Sequence, residues 1–334
     1  MKTIKIYENL NSDIYTNLAI EEYLMANLAE DTSIFFLWSN SPTVVIGRNQ
    51  NQHKECNLEK MAQDNILLAR RKTGGGAVFH DLGNLNFSYI FNEKENPLEI
   101  LTLIIQFLND NHVPVTLSGR NDIVTTGDKR KVSGVAAMQN GCTCLLHGTL
   151  LVDVNLEKMD RYLTVSPKKL KGIPSVRSRV VNIKELNPRL TVETVKNGLM
   201  LHIKEHATFS YSLCPLPPEK DYEKIKDHYQ SFDWNHVTPF SYDQKLQQKY
   251  NWGEIELYVK IQKDTISDLH IFTDSLDYEL IQTIEERCKN LKLHKIDETF
   301  AQIKQKFCDH HTFLWSPQQS DAILLDIKSM FLYF

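Results

Sequence analysis

The chain lacks any apolar run approaching the ~20 residues that a membrane-spanning helix needs. Its first residues, Met1 to Asn11, carry neither the apolar core of a secretory signal nor the Arg- and Ser-rich character of a transit peptide. Both absences point to a soluble cytoplasmic protein with no membrane partner. Net charge is small as well: 38 Lys and Arg against 42 Asp and Glu leave −4, too little to make a global basic field, so no nucleic-acid partner is expected. Thirteen glycines and 11 prolines in 334 residues are too few for a disordered or fibrous chain. The six cysteines (Cys56, Cys142, Cys144, Cys214, Cys288, Cys308) are scattered, which argues against a disulfide framework. Two local groups, Cys142 with Cys144 and His147, and Cys308 with His310 and His311, lack the paired spacing of a structural zinc site.

What is present is an ordinary globular composition, 42% hydrophobic and 24% charged, long enough for one large domain and one small. Asn11, Ser12 and Asp13 are N-caps for a helix whose Ile20, Leu24 and Leu28 share a face. Thr43 to Gly47, Ile66 to Ala69, Ala77 to Phe79 and Leu85 to Phe91 read as strands. A helix follows from Asn96, with Pro97 at its first position. Strands over Arg130 to Ala136 and Leu146 to Val154 come next, then a helix capped by Thr191. After Pro215, Pro217 and Pro218 comes a charged stretch, and Trp234 to Pro239 reads as loop. Strict alternation at Ile255, Leu257, Val259 and Ile261 opens a new pattern, followed by a strand near Leu269 to Phe272 and a helix spanning Leu276 to Leu291. Helices and strands do not alternate regularly, so the class is α+β. The division is a catalytic domain over residues 1–246 and a small C-terminal α+β accessory domain over 247–334.

Three segments carry possible chemistry. Arg70-Arg-Lys-Thr-Gly-Gly-Gly-Ala-Val-Phe-His-Asp81 places three consecutive glycines between apolar strands, just after cations. Glycines allow backbone N–H groups to approach an anion, and cations beside them would neutralise it. No Gly-Lys-Ser/Thr follows, so this is not a P-loop. Read alone, the segment is better explained as a plain glycine-rich hairpin with solvated arginines. In Lys129-Arg-Lys131-Val-Ser133-Gly134, strand alternation puts Lys129, Lys131 and Ser133 on one face. A lysine over a pocket can bridge a carboxylate and a phosphate; the alternative is a solvated basic turn. In His147-Gly-Thr149-Leu150, His147 and Thr149 share a face, and a lone strand histidine is commonly structural.

Taken together and in order, these segments resemble the lipoate–protein ligase family, within the biotin/lipoate ligase superfamily. So do Thr43 to Asn51, Gly83-Asn-Leu-Asn-Phe87, Gly119-Arg-Asn-Asp122, Ser175-Val-Arg-Ser-Arg179, Trp252 to Glu256 and Phe272 to Ser275. The resemblance covers nearly the whole chain. It implies a large mixed sheet with helices plus the accessory domain, and an enzyme that makes lipoyl-adenylate from lipoate and ATP with Mg²⁺, without a tightly bound prosthetic group. The lipoyl group then passes to a lysine of an acceptor, a lipoyl domain of a 2-oxoacid dehydrogenase E2 subunit or the glycine-cleavage H protein. By resemblance Lys131 is catalytic and touches both substrates. ATP is held by Arg71, Gly76, Ala77, Val78, Phe79, Asn84, Asn121 and Asp122, with Asp122 also a Mg²⁺ contact. Lipoate is held by Leu18, Trp38, Val45, Arg71, Gly75 and His147. The enzyme is expected to be a monomer. Thr73 stands where the family has serine, and the hydroxyl is kept.

Two other readings stay open. One is a transfer-only lipoyl or octanoyl transferase that accepts pre-activated lipoyl nucleotide or an acyl-carrier thioester; in the octanoyl-transferring version Cys142 or Cys144 would act as nucleophile with a lysine. The other is a non-catalytic ligand-binding paralogue; the DNA-binding module of regulatory relatives has no room before the ligase pattern begins.

Overall fold

The computed structural model describes residues 3–9, 13–119, 122–164, 180–206, 210–307 and 317–334. Asn121, the segment 175–179 and the group at Cys308, His310 and His311 lie outside the described residues. The chain divides into two compact units. The first comprises Met1–Ile46, Gln52–Arg71 and Ala77–Asn235; the second comprises Gly47–Asn51, Lys72–Gly76 and His236–Phe334. The C-terminal stretch of the second unit begins at His236. The expected division after residue 246 falls inside the strand Gln244–Tyr250, which pairs residue by residue with the strand that follows, so a boundary there would split a hairpin.

The first unit starts with β1 (Thr3–Asn9), α1 (Ile14–Ala26), β2 (Thr32–Trp38) and β3 (Thr43–Ile46). Next come α2 (Gln52–Glu55), α3 (Leu58–Gln63), β4 (Leu67–Arg70), β5 (Val78–His80) and β6 (Asn84–Asn92). Then follow α4 (Leu98–Asp110), β7 (Val115–Ser118), β8 (Asp122–Thr125), β9 (Lys131–Asn140) and β10 (Thr143–Leu151). It closes with α5 (Leu156–Tyr162), α6 (Ile183–Leu186), α7 (Val192–His206), β11 (Ser210–Leu213), α8 (Glu219–Gln230) and α9 (Phe232–Asn235). Eight strands form one mixed sheet in the order β11-β1-β2-β6-β10-β9-β8-β7, and three more form a small sheet, β4-β3-β5. Within the large sheet, β11, β1 and β2 run parallel and the remaining pairs are antiparallel.

Helix α1 begins where its cap predicts: the Asp13 carboxylate accepts the N–H of Tyr15. It ends at Ala26, leaving Leu28 outside. Its buried residues run nearly all round, because α1 packs on the large sheet and is covered in turn by Tyr222 and Tyr229 of α8. The charged stretch after Pro218 is therefore a helix, with Tyr222 and Tyr229 as its inward stripe. Pro97 caps α4 rather than opening it, and Trp234 and Asn235, expected in a loop, close the short α9. There the Arg70 side chain is held by the carbonyls of Trp234 and Asn235 and by Gln52 Oε1. Strands β1 and β2 were not evident in the sequence; every residue of β2 after Thr32 is buried, so no polar–apolar alternation marks it.

The second unit is a four-stranded sheet, β12 (Gln244–Tyr250), β13 (Gly253–Gln262), β14 (Thr265–Thr273) and β15 (Leu291–Lys292), with α10 (Tyr278–Cys288), α11 (Ile296–Phe307) and α12 (Pro317–Met330). Ile255, Leu257 and Val259 of β13 pack with Leu280, Ile284, Phe300, Ile303, Ile323 and Ile327 of the helices, as their alternation requires. Asp277 caps α10, so Leu276 and Leu291 lie just beyond the helix they were expected to belong to. No helix among the described residues is long and apolar enough to cross a membrane.

Candidate functional site

On the α1 side of the large sheet, polar side chains from four elements meet in the interior. Strand β6 alternates Asn84, Asn86 and Ser88 with Leu85 and Phe87, so one of its faces is polar although both are buried. The indole N–H of Trp38, on β2, donates to Ser88 Oγ at 2.9 Å, and Ser88 donates to Glu21 Oε1 of α1 at 2.5 Å. His147 Nδ1, on β10, lies 2.9 Å from the same oxygen. Leu18, Trp38 and Val45 belong to the one apolar cluster around this chain of bonds. Three residues expected at the acyl chain are thus packed together, and His147 closes one side of the group.

Arg71 follows β4 and is buried. Its backbone N–H donates to Ile46 O at 3.0 Å and its Nη1 to Val45 O at 3.4 Å. Burial lowers the guanidinium to about 10, with the Glu21 carboxylate opposing the shift, so it stays charged at neutral pH. The neighbouring His80 is also buried, and burial, reinforced by Arg71 and His147, lowers it to about 3. It is therefore neutral. Its Nδ1 lies 3.0 Å from Asn40 Nδ2, while Nε2 is buried with no hydrogen-bond partner among the described residues. A buried cation, a neutral imidazole and an apolar wall can receive a molecule that is apolar along most of its length and anionic at one end.

The glycine segment is not a hairpin. Strands β4 and β5 flank β3 on opposite sides, so residues 71–77 are a crossover. The segment divides between the units: Arg70, Arg71 and residues from Ala77 onward lie in the first, Lys72–Gly76 in the second. Within the second unit each glycine has a different reason. A Cβ at Gly74 would stand 2.4 Å from Ser275 O, and Gly75 has φ +90° and donates to the same carbonyl at 3.0 Å. A Cβ at Gly76 would meet nothing within 4 Å. At Gly76, unlike Gly74, there is room beside the backbone for a side chain.

Lys131 opens β9 and reaches Asp122 on β8, with Nζ 2.8 Å from Oδ1. Lys129 has φ +58° and precedes the strand, so the expected alternation does not extend to it. Nor do Lys131 and Ser133 share a face. Ser133 pairs with Ile123 but Lys131 with Val124, which leaves Val132 as an extra, bulged residue. The bulge turns Lys131 to the side of Asp122, while Ser133 is fully buried.

Val78 packs against the Trp38 cluster, whereas Ala77 and Phe79 belong to a second apolar group with Tyr162. Asn84 is buried and donates to Asn86 Oδ1 at 2.9 Å. No group of three or more His, Cys, Asp or Glu among the described residues is arranged to hold a metal ion. The cysteines stand apart from the lysine: Gln139, the partner of Cys144, is eight residues along β9 from Lys131, roughly 25 Å. Burial raises the Cys144 thiol to about 12, and a hydrogen bond with Glu93 raises Cys142. Both shifts work against the thiolate that a cysteine nucleophile needs. Sequence reading missed Glu21, Asn40, His80 and Ser88. The available signal was Glu21 itself, an acid between Ile20 and Leu24 of an apolar helix.

The lipoyl protein ligase A/B catalytic domain matches residues 13–204, and the bacterial lipoate protein ligase C-terminus matches residues 240–312. A lipoate-protein ligase A of Blochmanniella floridana is 38% identical, over 81% of this chain and 83% of its own. Among solved structures, P. falciparum LipL1 in complex with lipoate superposes with a TM-score of 0.82 at 25% identity, all of each chain being covered. A lipoate-protein ligase A bound with ATP superposes with a TM-score of 0.60 at 25% identity, over 70% of this chain and 98% of its own. With a catalytic-domain match that spans more than half of its residues, the chain belongs to the lipoyl protein ligase A/B family.

Proposed function

We propose that the protein is an ATP-dependent lipoate–protein ligase that activates free lipoate as lipoyl-AMP and transfers the lipoyl group to a lysine of a lipoyl domain. Those acceptors are 2-oxoacid dehydrogenase E2 subunits and the glycine-cleavage H protein, and the working form is a cytoplasmic monomer. The observation that carries the reading is the buried Arg71 beside the cluster of Leu18, Trp38 and Val45: a fixed cation next to an apolar cluster suits a carboxylate on a long apolar body.

In the first half-reaction a lipoate carboxylate oxygen attacks the α-phosphorus of ATP, and the bond to the β-phosphate breaks to release pyrophosphate. Two anions must meet, so preorganised cations supply the electrostatic stabilisation, and the pocket supplies alignment. Lys131 serves the phosphate and the carboxylate, while Arg71 holds the acyl end. Gly76, with Ala77 to Phe79 and Asn84, serves the nucleotide, and Gly75 and His147 border the lipoyl chain. In the second half-reaction the acceptor amine attacks the mixed anhydride and loses a proton, and AMP leaves with its phosphate beside Lys131. Mg²⁺ binds few protein carboxylates and is commonly carried by the phosphates. A single carboxylate, Asp122, already paired with Lys131, does not form a metal site alone, so the ion is proposed to arrive with ATP.

The test is intact-mass analysis of an apo lipoyl domain incubated with lipoate, ATP and enzyme. Wild type is expected to add one lipoyl mass, and Lys131→Ala is expected not to. Lipoylation from supplied lipoyl-AMP but never from lipoate plus ATP would instead mark a transfer-only enzyme.

A further inference from the structure

Asp122 was expected to contact nucleotide or metal. Its surroundings assign it another task. Asp122 and Gly134 are direct cross-strand partners, and the bulge at Val132 brings Lys131 to the face they share. The lysine side chain lies across the glycine: a Cβ on Gly134 would stand 2.5 Å from Lys131 Nζ, 2.7 Å from its Cε and 3.8 Å from Asp122 Oδ1. The same Oδ1 is buried and has no hydrogen-bond partner among the described residues, its contact with the ammonium at 2.8 Å being an ion pair. Three features of the sequence thus converge on one arrangement, an extra residue in β9, a glycine at 134 and an acid at 122.

We infer that Asp122 is a positioning residue for Lys131 and that Gly134 is the seat over which the pair forms. An ammonium has three N–H donors on a flexible four-carbon stem. Asp122 draws the ammonium by this ion pair and fixes the direction of the stem, which leaves N–H donors for the carboxylate and the α-phosphate. Each side chain keeps about a third of its surface exposed, 33% for Lys131 and 35% for Asp122, so the contact orients the lysine without trapping it. Gly134 is required because any side chain there occupies the place of the ammonium. Displacing the tip of a flexible lysine disturbs the fold little, so Gly134 answers to the reaction and not to stability.

This inference rests on Lys131 acting in adenylation, and the experiment separates the two. Lipoate-dependent ATP–pyrophosphate exchange is measured on the full-length enzyme and on Lys131→Ala, Asp122→Asn, Asp122→Glu and Gly134→Ala, with thermal melting of each. Asp122→Asn and Gly134→Ala are each expected to lower kcat of exchange about tenfold or more, since a misplacement of ~1 Å can cost up to ~100-fold. KM for ATP and the melting midpoint should stay close to wild type. Asp122→Glu should recover part of the loss, and the double variant Asp122→Asn/Gly134→Ala should be no slower than the slower single, as one shared interaction requires. Wild-type exchange by Asp122→Asn overturns the inference. So does a loss in Asp122→Asn that added Mg²⁺ restores, which would make Asp122 a metal ligand. Exchange persisting in Lys131→Ala would remove the role of Lys131 itself, and this inference with it.

Discussion

Glu21 of α1 and His147 of β10, 126 residues apart in the chain, meet in the interior with Oε1 and Nδ1 2.9 Å apart. Ser88 donates to the same carboxylate oxygen, and Arg71 feels its charge. Removing one partner of a buried charged network leaves the others desolvated and unpaired. Glu21→Ala should therefore destabilise the first unit by about 3 kcal/mol, and Glu21→Gln, which keeps an acceptor, by about 1 kcal/mol. Urea unfolding followed by tryptophan fluorescence reads this directly, because Trp38 is bonded to Ser88. An unchanged midpoint for Glu21→Ala would mean that the network contributes nothing to folding.

His80 sets a pH dependence. Its folded value of about 3, against an ordinary 6.5, means that the unfolded chain takes up a proton through this range while the folded chain does not. Stability is full above 6.5 and is lost progressively as pH falls toward 3. Between pH 7 and pH 5 the loss from this one group is about 2 kcal/mol. His80→Gln should flatten that part of the curve. If both proteins lose equal stability over the interval, His80 is not the group responsible.

Neighbouring glycines should behave differently. Gly74→Ala places a methyl 2.4 Å from the Ser275 carbonyl, so the backbone must move, at about 1–3 kcal/mol. Gly76→Ala meets nothing within 4 Å and should melt like wild type while binding nucleotide more weakly. Calorimetry and ATP titration of the two variants give the comparison. Equal melting points, or unaltered ATP affinity in Gly76→Ala, would contradict it.

The cysteines should be dispensable. Cys142→Ser/Cys144→Ser is expected to lipoylate an apo lipoyl domain at the wild-type rate within about twofold, since both thiols are pushed away from the thiolate and Cys144 lies opposite Gln139, far along β9 from Lys131. Loss of activity, or a hydroxylamine-sensitive acyl-enzyme formed by wild type from octanoyl carrier protein, would restore the transfer-only reading.

Much of the fold was legible because its signals are local. Asp13 caps α1 through its own side chain, and β13 declares its core face in three alternating residues. What could not be read depends on distant partners. Gly74 looked like a place for an anion, yet its open side is taken by the Ser275 carbonyl, 201 residues later in the chain. Lys131 was assigned the face of Ser133 by simple alternation, and only the cross-strand register reveals the bulge that breaks it. Glu21 stood out as an acid in a buried helix, but its partners Ser88 and His147, 67 and 126 residues further on, are brought to it only by the fold.

The central claim is that this chain makes the adenylate and does not merely use one. ATP–pyrophosphate exchange with the wild-type enzyme, run with and without lipoate and with no acceptor protein present, tests it most directly. Labelled pyrophosphate should enter ATP only when lipoate is added. Absence of lipoate-dependent exchange, in an enzyme that still transfers lipoyl from supplied lipoyl-AMP, would contradict the account.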